Sequence, residues 1–151
     1  MLHPRIEARK LLRELRIFDL PVNMTDLCSS LGIDIFFDTL EGLDGYFIYN
    51  SANGKYVIVV RDSAGLGRQR FSIAHELGHI RLNHGLVGFS VTGQVARDAR
   101  LETCANMFAS ELLMPKLLLQ RFGFLTPARI AEICQVSGET AAIRAKEMGW
   151  A

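Results

Sequence analysis

The chain begins with a mixed amphipathic pattern. Over residues 4–17, Ile6, Leu12 and Leu15 are interleaved with Arg and Glu, and Pro4 suits a first helical turn, so the spacing predicts a helix there. A second short helix is expected from after Asn23 to Gly32, with Leu27, Cys28 and Leu31 inward. The period then shortens to two. Ile33, Ile35 and Phe37 alternate with Asp34, Phe36 and Asp38, which reads as a strand. Tyr46–Tyr49 reads as a second strand. Residues 50–54, Asn-Ser-Ala-Asn-Gly, give a hairpin signal, and the β-branched run Tyr56–Val60 reads as a third, central strand.

Beyond the breaks at Gly65 and Gly67 the pattern is helical to Leu82. Residues 83–96, with three glycines, read as a loop. A helix over 97–114 ends before Pro115. The remainder is helical, first over 116–122 and then as two short helices separated near Val136-Ser137, the first of them capped by Thr126-Pro127. Strands and helices are segregated, so the expected class is α+β, with a small antiparallel or mixed sheet of about three strands packed with helices. One domain over 1–151 is expected: a helical N-terminal segment over 1–32, a sheet over 33–62, helices over 66–82 and 97–114, and terminal helices over 116–149.

Composition narrows the function classes. With 151 residues, 49% hydrophobic and 22% charged, the chain has an ordinary globular balance, and its +1 net charge gives no bulk attraction to nucleic acid or anionic membrane. The charge is uneven along the sequence. No basic residue lies between Arg16 and Lys55, where Asp19, Asp26, Asp34, Asp38, Glu41 and Asp44 sum to −6. The next stretch, Lys55 to Arg100, is basic. This asymmetry fits internal complementarity between two halves of one fold, or a polarised cleft that helps choose a partner. Cys28, Cys104 and Cys134 show no metal-ligand spacing. With no secretory or membrane-spanning apolar run, a cytoplasmic protein with reduced cysteines is expected.

The chemistry concentrates in His75-Glu76-Leu77-Gly78-His79. On a helix the two histidines lie about 40° apart and one turn along, so both imidazoles can meet one Zn²⁺. Glu76 is turned about 100° from His75, which suits a general base better than a third ligand. Leu66, Ile73, Leu77 and Ile80 form an apolar stripe opposite the histidines. Ala74 and Gly78 form a strip of small residues where another backbone could approach, and Phe71 and Leu82 flank the histidines.

A third ligand is needed. His84 lies about 140° around from His79 and cannot join without a chain break. Glu102, on the next helix beside a stripe of Leu101, Ala105, Phe108 and Leu112, is the better candidate, and Asp98 one turn earlier is its rival. Mn²⁺ or Fe²⁺ would also suit two imidazoles and a carboxylate. Tyr46, Tyr49, Tyr56, His84, Arg70 and Arg100 are all candidates to stabilise an oxyanion.

Two blocks carry a resemblance. Arg70-Phe71-Ser72-Ile73-Ala74-His75-Glu76-Leu77-Gly78-His79, followed by Glu102-x-x-Ala105-Asn106-x-Phe108-Ala109-x-x-Leu112-Leu113-Met114-Pro115, resembles the ImmA/IrrE family of metallo-endopeptidases over roughly residues 20–150. The resemblance implies a zincin-like fold with this motif on its central helix. It implies His75, His79 and Glu102 as zinc ligands and Glu76 as catalytic base. It also implies a protein substrate, a helix-turn-helix repressor of a mobile element or stress response. Many relatives carry a further regulatory or DNA-binding domain, for which 151 residues leave little room.

Two other function classes compete. Residues 131–144 have a helix-turn-helix look, but segment 116–151 has five Lys+Arg against three Glu, and Gln135 stands where Gly is commoner in the turn. Direct DNA binding is therefore the weaker expectation. The remaining class is a non-cleaving regulatory or antitoxin-type partner of a repressor or toxin, against which retention of all four site residues argues.

Overall fold

The computed structural model describes residues 2–85 and 98–150. Helix α1 (Pro4–Glu14) and helix α2 (Met24–Ser30) precede strands β1 (Asp34–Asp38), β2 (Gly45–Asn50) and β3 (Lys55–Arg61). Helices α3 (Leu66–Arg81), α4 (Ala99–Leu113) and α5 (Lys116–Leu119) follow, then a 3-10 turn (Gln120–Phe122), α6 (Pro127–Cys134) and α7 (Gly138–Glu147). The expected loop over 83–96 falls largely outside the described residues.

The sheet is mixed, with order β1-β3-β2. β1 runs parallel to the central β3 in the register Ile35 to Ile58, and β2 runs antiparallel to it in the register Phe47 to Ile58. The fold is α+β, as the segregated pattern predicts. Ile58 and Val60 are fully buried because they lie on the face that α3 covers. At the edge the alternation fades: Ile33 is buried, but Phe36 and Phe37 are 56% and 53% exposed, as a strand with a neighbour on only one side among the described residues permits.

α1 stops three residues earlier than its periodicity suggests. Arg16 turns left-handed at φ 54°, and the Ile17 amide returns to the Leu12 carbonyl at 2.8 Å, closing the helix end. Ala8, Leu11 and Leu12 form its buried face, whereas Ile6 is half exposed. α2 is capped by Asn23, whose side chain accepts the Asp26 amide.

α4 is packed between α3 on one side and α1 on the other. Gly78 explains the close contact with α3: a Cβ there would meet the Ala105 carbonyl oxygen at 3.2 Å and Phe108 Cδ1 at 3.1 Å. The strip of small residues therefore does admit another backbone. On the opposite stripe Ile73, Leu77 and Ile80 are buried, but Leu66 is 62% exposed because it opens the helix beyond the reach of the core.

The α6–α7 turn is docked on the first turns of α3. A Cβ on Gly67 would lie 2.8 Å from the Ser137 amide nitrogen. Gln135 is left-handed at φ 54°. Arg70 is buried beneath it and donates from Nε to the Gln135 carbonyl (3.0 Å), from Nη2 to that of Cys134 (3.0 Å) and from Nη1 to that of Val22 (2.7 Å). The guanidinium thus satisfies carbonyls at the end of α6, where a cation is favoured. A second buried arginine, Arg144 of α7, pairs with Glu111 of α4 and donates to the Met114 carbonyl at 3.0 Å. Arg9 of α1 holds the other Glu111 oxygen at 3.0 Å. Arg144, the cation of the helix-turn-helix-like segment, therefore points into the protein and is not presented to a ligand such as DNA.

Candidate metal centre

α3 and α4 bring one group of donors together. Nε2 of His75 and Nε2 of His79 lie 3.1 Å apart. The Glu102 carboxylate faces both, with Oε2 3.0 Å from His75 Nε2 and Oε1 2.8 Å from His79 Nε2. One ligand atom from each residue lies within 4.8 Å of the others. Three acceptor-bearing side chains converge here from two helices, and two imidazoles with a carboxylate are a donor set that a divalent transition ion satisfies. His79 is buried and His75 nearly so, while Glu102 is half-buried at the open side.

The helical spacing accounts for this convergence. His75 and His79 are one turn apart on α3, and their rings stand edge to face with centroids 4.7 Å apart. Glu102 lies in the first turn of α4, which the Gly78 contact holds against α3. Asp98, the rival ligand, is used otherwise. It is the N-cap of α4, its Oδ1 accepting the Arg100 amide at 2.8 Å, and it does not belong to the donor group.

Neighbouring residues fix both imidazoles. His75 Nδ1 is 2.7 Å from Asn106 Oδ1, so with Nε2 turned to the donor group the Nδ1 proton is donated to the amide oxygen. His79 Nδ1 is 2.9 Å from His84 Nδ1. The break that His84 needs is present: α3 ends at Arg81, Asn83 turns to φ 60°, and the His84 amide donates to the His79 carbonyl at 2.9 Å. Burial pushes the His84 imidazole below its ordinary value, against the opposite pull of Glu102 and Asp98. With His79 Nε2 turned to the donor group its Nδ1 carries the proton, and His84 in the tautomer protonated at Nε2 accepts it at Nδ1. The ring of Phe47 in β2 stacks on His79 at 5.8 Å, and Phe71 lies 6.5 Å from His75.

Neither partner role is legible in the sequence. Asn106 stands four residues after Glu102, hence on the same face of α4, which is the one signal that could identify it. For His84 the signal is Asn83, a residue type that tolerates the left-handed turn. Glu76, between the histidines, is 3% exposed. Among the other candidates for oxyanion stabilisation, Arg70 is committed to its three carbonyls. Tyr49 and Tyr56 pack edge to face at 5.2 Å across the β2–β3 ladder.

A family model described as the IrrE N-terminal-like domain, Peptidase M78, matches residues 28–146. Metallopeptidase ImmA of Bacillus subtilis (strain 168) is 34% identical over 99 residues, which cover 64% of this chain and 57% of that protein. A solved Mycobacterium tuberculosis transcriptional regulator superposes with a TM-score of 0.58 at 18% identity, over 93% of this chain and 46% of that one, a likeness of fold alone. The matches thus span about half the length of both relatives. The family match runs through both motif blocks and the strands before them, and the chain belongs to the ImmA/IrrE family of metallopeptidases.

Proposed function

We propose that this chain is a zinc-dependent endopeptidase that performs limited proteolysis of a regulatory protein, a helix-turn-helix repressor of a mobile element or stress response. The observation that carries the reading is the convergence of His75, His79 and Glu102 beside a buried Glu76. In it His75, His79 and Glu102 hold the cation and Glu76 is the catalytic base. Zn²⁺ suits this donor set best, with Mn²⁺ or Fe²⁺ as substitutes. When bound, the metal supplies a Lewis acid that activates water and polarises the scissile carbonyl.

The chain's own residues do the rest. Asn106 and His84 hold the two imidazoles with Nε2 inward. Glu76 takes the proton of the attacking water and returns it to the departing amine. Among the described residues β2 pairs only with β3, and Phe47 of β2 touches His79. An extended substrate can therefore add as a strand along Gly45–Tyr49, beside the donors. Residues 1–151 act in this reading as one catalytic unit. Among the described residues no helix is long and apolar enough to cross a membrane, and the free Cys28, Cys104 and Cys134 suit the reducing cytoplasm.

The test is the substitution Glu76→Gln. It is expected to retain stoichiometric zinc and to abolish cleavage of a helix-turn-helix repressor that the parent chain cuts, and chelator is expected to do the same. Cleavage by Glu76→Gln at the parent rate sinks the general-base assignment. An uncut complex formed with or without chelator would instead favour the non-cleaving binding partner.

A further inference from the structure

β1 and β2 form opposite edges of the sheet, and among the described residues β1 pairs with β3 alone. Four of its five residues are exposed and Ile35 is half-buried. The Asp38 carbonyl accepts the Asp62 amide at 2.9 Å, so the main-chain groups of Asp38, Phe36 and Asp34 face β3. Alternation turns the amides and carbonyls of Ile35 and Phe37 outward, where a further strand would take them.

Apolar surface lies on both sides of this edge. Phe36, opposite Val59, stands on the sheet face away from α3. Phe37, opposite Val60, shares the α3 face and lines a recess of about 300 Å³ together with Pro21, Val22, Met24, Leu66 and Ile73. The longest polar side chains of the recess are committed. Gln69 donates to the Arg61 and Asp62 carbonyls at 3.1 Å and 3.2 Å, and Arg70 to its three carbonyls. None of His75, His79 and Glu102 lines it.

The charge here is one-sided. Asp34 and Asp38 end the strand, Glu41 follows it and Asp62 bonds to it, and among the described residues none of the four forms an ion pair. Arg61 and Arg68, the cations at this end of the sheet, are both held by Asp44 at 2.8 Å. These charges select the occupant. A second copy of β1 pairing antiparallel about Phe36 would set Asp34 against Asp38 at both ends, like charges face to face. An extended segment with Lys or Arg at those two positions and apolar residues between them meets opposite charge at both ends instead.

We infer that β1 is a docking edge for an extended basic segment of a protein partner. The segment adds as a fourth strand, bonds to Ile35 and Phe37, and lays an apolar side chain into the recess beside Phe37. The edge is separate from the donor group, and its use does not rest on the metallopeptidase reading.

The probe is the peptide acetyl-Ser-Lys-Val-Leu-Val-Lys-Ser-amide, whose lysines are spaced as Asp34 and Asp38 are. It is titrated into the full Glu76→Gln chain, with and without zinc, and followed by amide NMR. Shifts are expected at the Ile35 and Phe37 amides, with the same affinity in both metal states. Binding is expected to be at least tenfold tighter than that of the peptide with Glu for Lys, or of one N-methylated at alternate amides. Asp34→Lys with Asp38→Lys should reverse the charge preference, so that the glutamate peptide binds better. Phe36→Lys, at an exposed side chain, should weaken the lysine peptide, whereas Tyr49→Lys on β2 should leave it unchanged. The inference is overturned if the shifts fall on β2 or depend on zinc, if the charge-reversed chain still prefers lysine, or if N-methylation costs nothing. It is equally overturned if Ile35 and Phe37 do not respond, which would leave the acids as a guard against self-pairing of the edge.

Discussion

Nδ1 of His84 lies 2.9 Å from Nδ1 of His79, and nothing in a continuous helix would put it there. The contact exists because α3 ends at Arg81 and Asn83 reverses the chain. An acceptor at that distance fixes the tautomer of His79 and aims its other nitrogen at the donor group.

On the zinc reading proposed above, removing that contact should weaken metal binding. His84→Ala deletes the acceptor and is expected to lower zinc affinity by about 10–100-fold, the usual cost of losing a partner of a ligating histidine. His84→Asn, which can place an amide oxygen near the same point, should recover most of the loss. A competition titration against a chelating dye measures both. Equal affinities for parent and His84→Ala would remove His84 from the positioning role.

Gly78→Ala tests the spacing of α3 and α4. Alanine is worth about 1 kcal/mol more than glycine in a helix interior. Here its Cβ would press within 3.2 Å of the Ala105 carbonyl and of Phe108, both anchored on a packed helix. Overpacking of this kind costs about 1–3 kcal/mol, so a net loss of stability is expected, readable from the urea midpoint. Gly67→Ala, with backbone atoms of the α6–α7 turn at 2.8 Å and 2.9 Å, should lose more.

Glu111 and Arg144 are 1% and 3% exposed and pair with one another. Arg144→Met leaves a buried carboxylate with Arg9 alone, and a loss of about 3–5 kcal/mol is expected. Replacing both, Glu111→Leu with Arg144→Met, should recover much of that loss, because the charge stranded by the single change is gone. Chemical denaturation of the two variants separates the cost of a stranded charge from the net worth of the pair.

Two thiols predict an alkaline limit. Burial pushes Cys28 up to about 12 from an ordinary 9.0. It does the same for Cys134, where Arg70 and Arg144 pull the other way. Above pH 9 the unfolded chain releases these protons while the folded chain keeps them, so the unfolded state binds fewer. Stability is therefore complete below pH 9 and declines from about pH 9 to 12, by up to about 1.4 kcal/mol per pH unit for each thiol. Urea unfolding at pH 8 and pH 10 should show the decline, and Cys28→Ser with Cys134→Ser should flatten its pH dependence.

How far the sequence can be read depends on range. The periods of α3 and α4, and the strand β3, are local signals, and the structure follows them to within two residues. The spacing of His75 and His79 fixes one face of α3. Glu102 can be singled out because its helix also carries an apolar stripe that must pack. Leu66 and Ile6 depart from the expected burial because periodicity continues to the end of a helix whether or not the core does. The partners of Arg70 lie 48, 64 and 65 residues away and are main-chain carbonyls, which every residue possesses. Nothing in the sequence marks such a partner in advance. The same holds for Arg144, whose burial depends on α7 lying against α4.

The arginine at the head of the long motif block is consequently a keystone and not a reagent. Its positive charge is spent in knotting the Val22 segment and the bend after α6 onto the helix that bears the histidines. A homologue that keeps this arginine but has lost Glu102 should therefore hold the same architecture and, on the proposed function, cleave nothing. Motif survival around position 70 is thus a marker of shape, and only the donors themselves speak for chemistry.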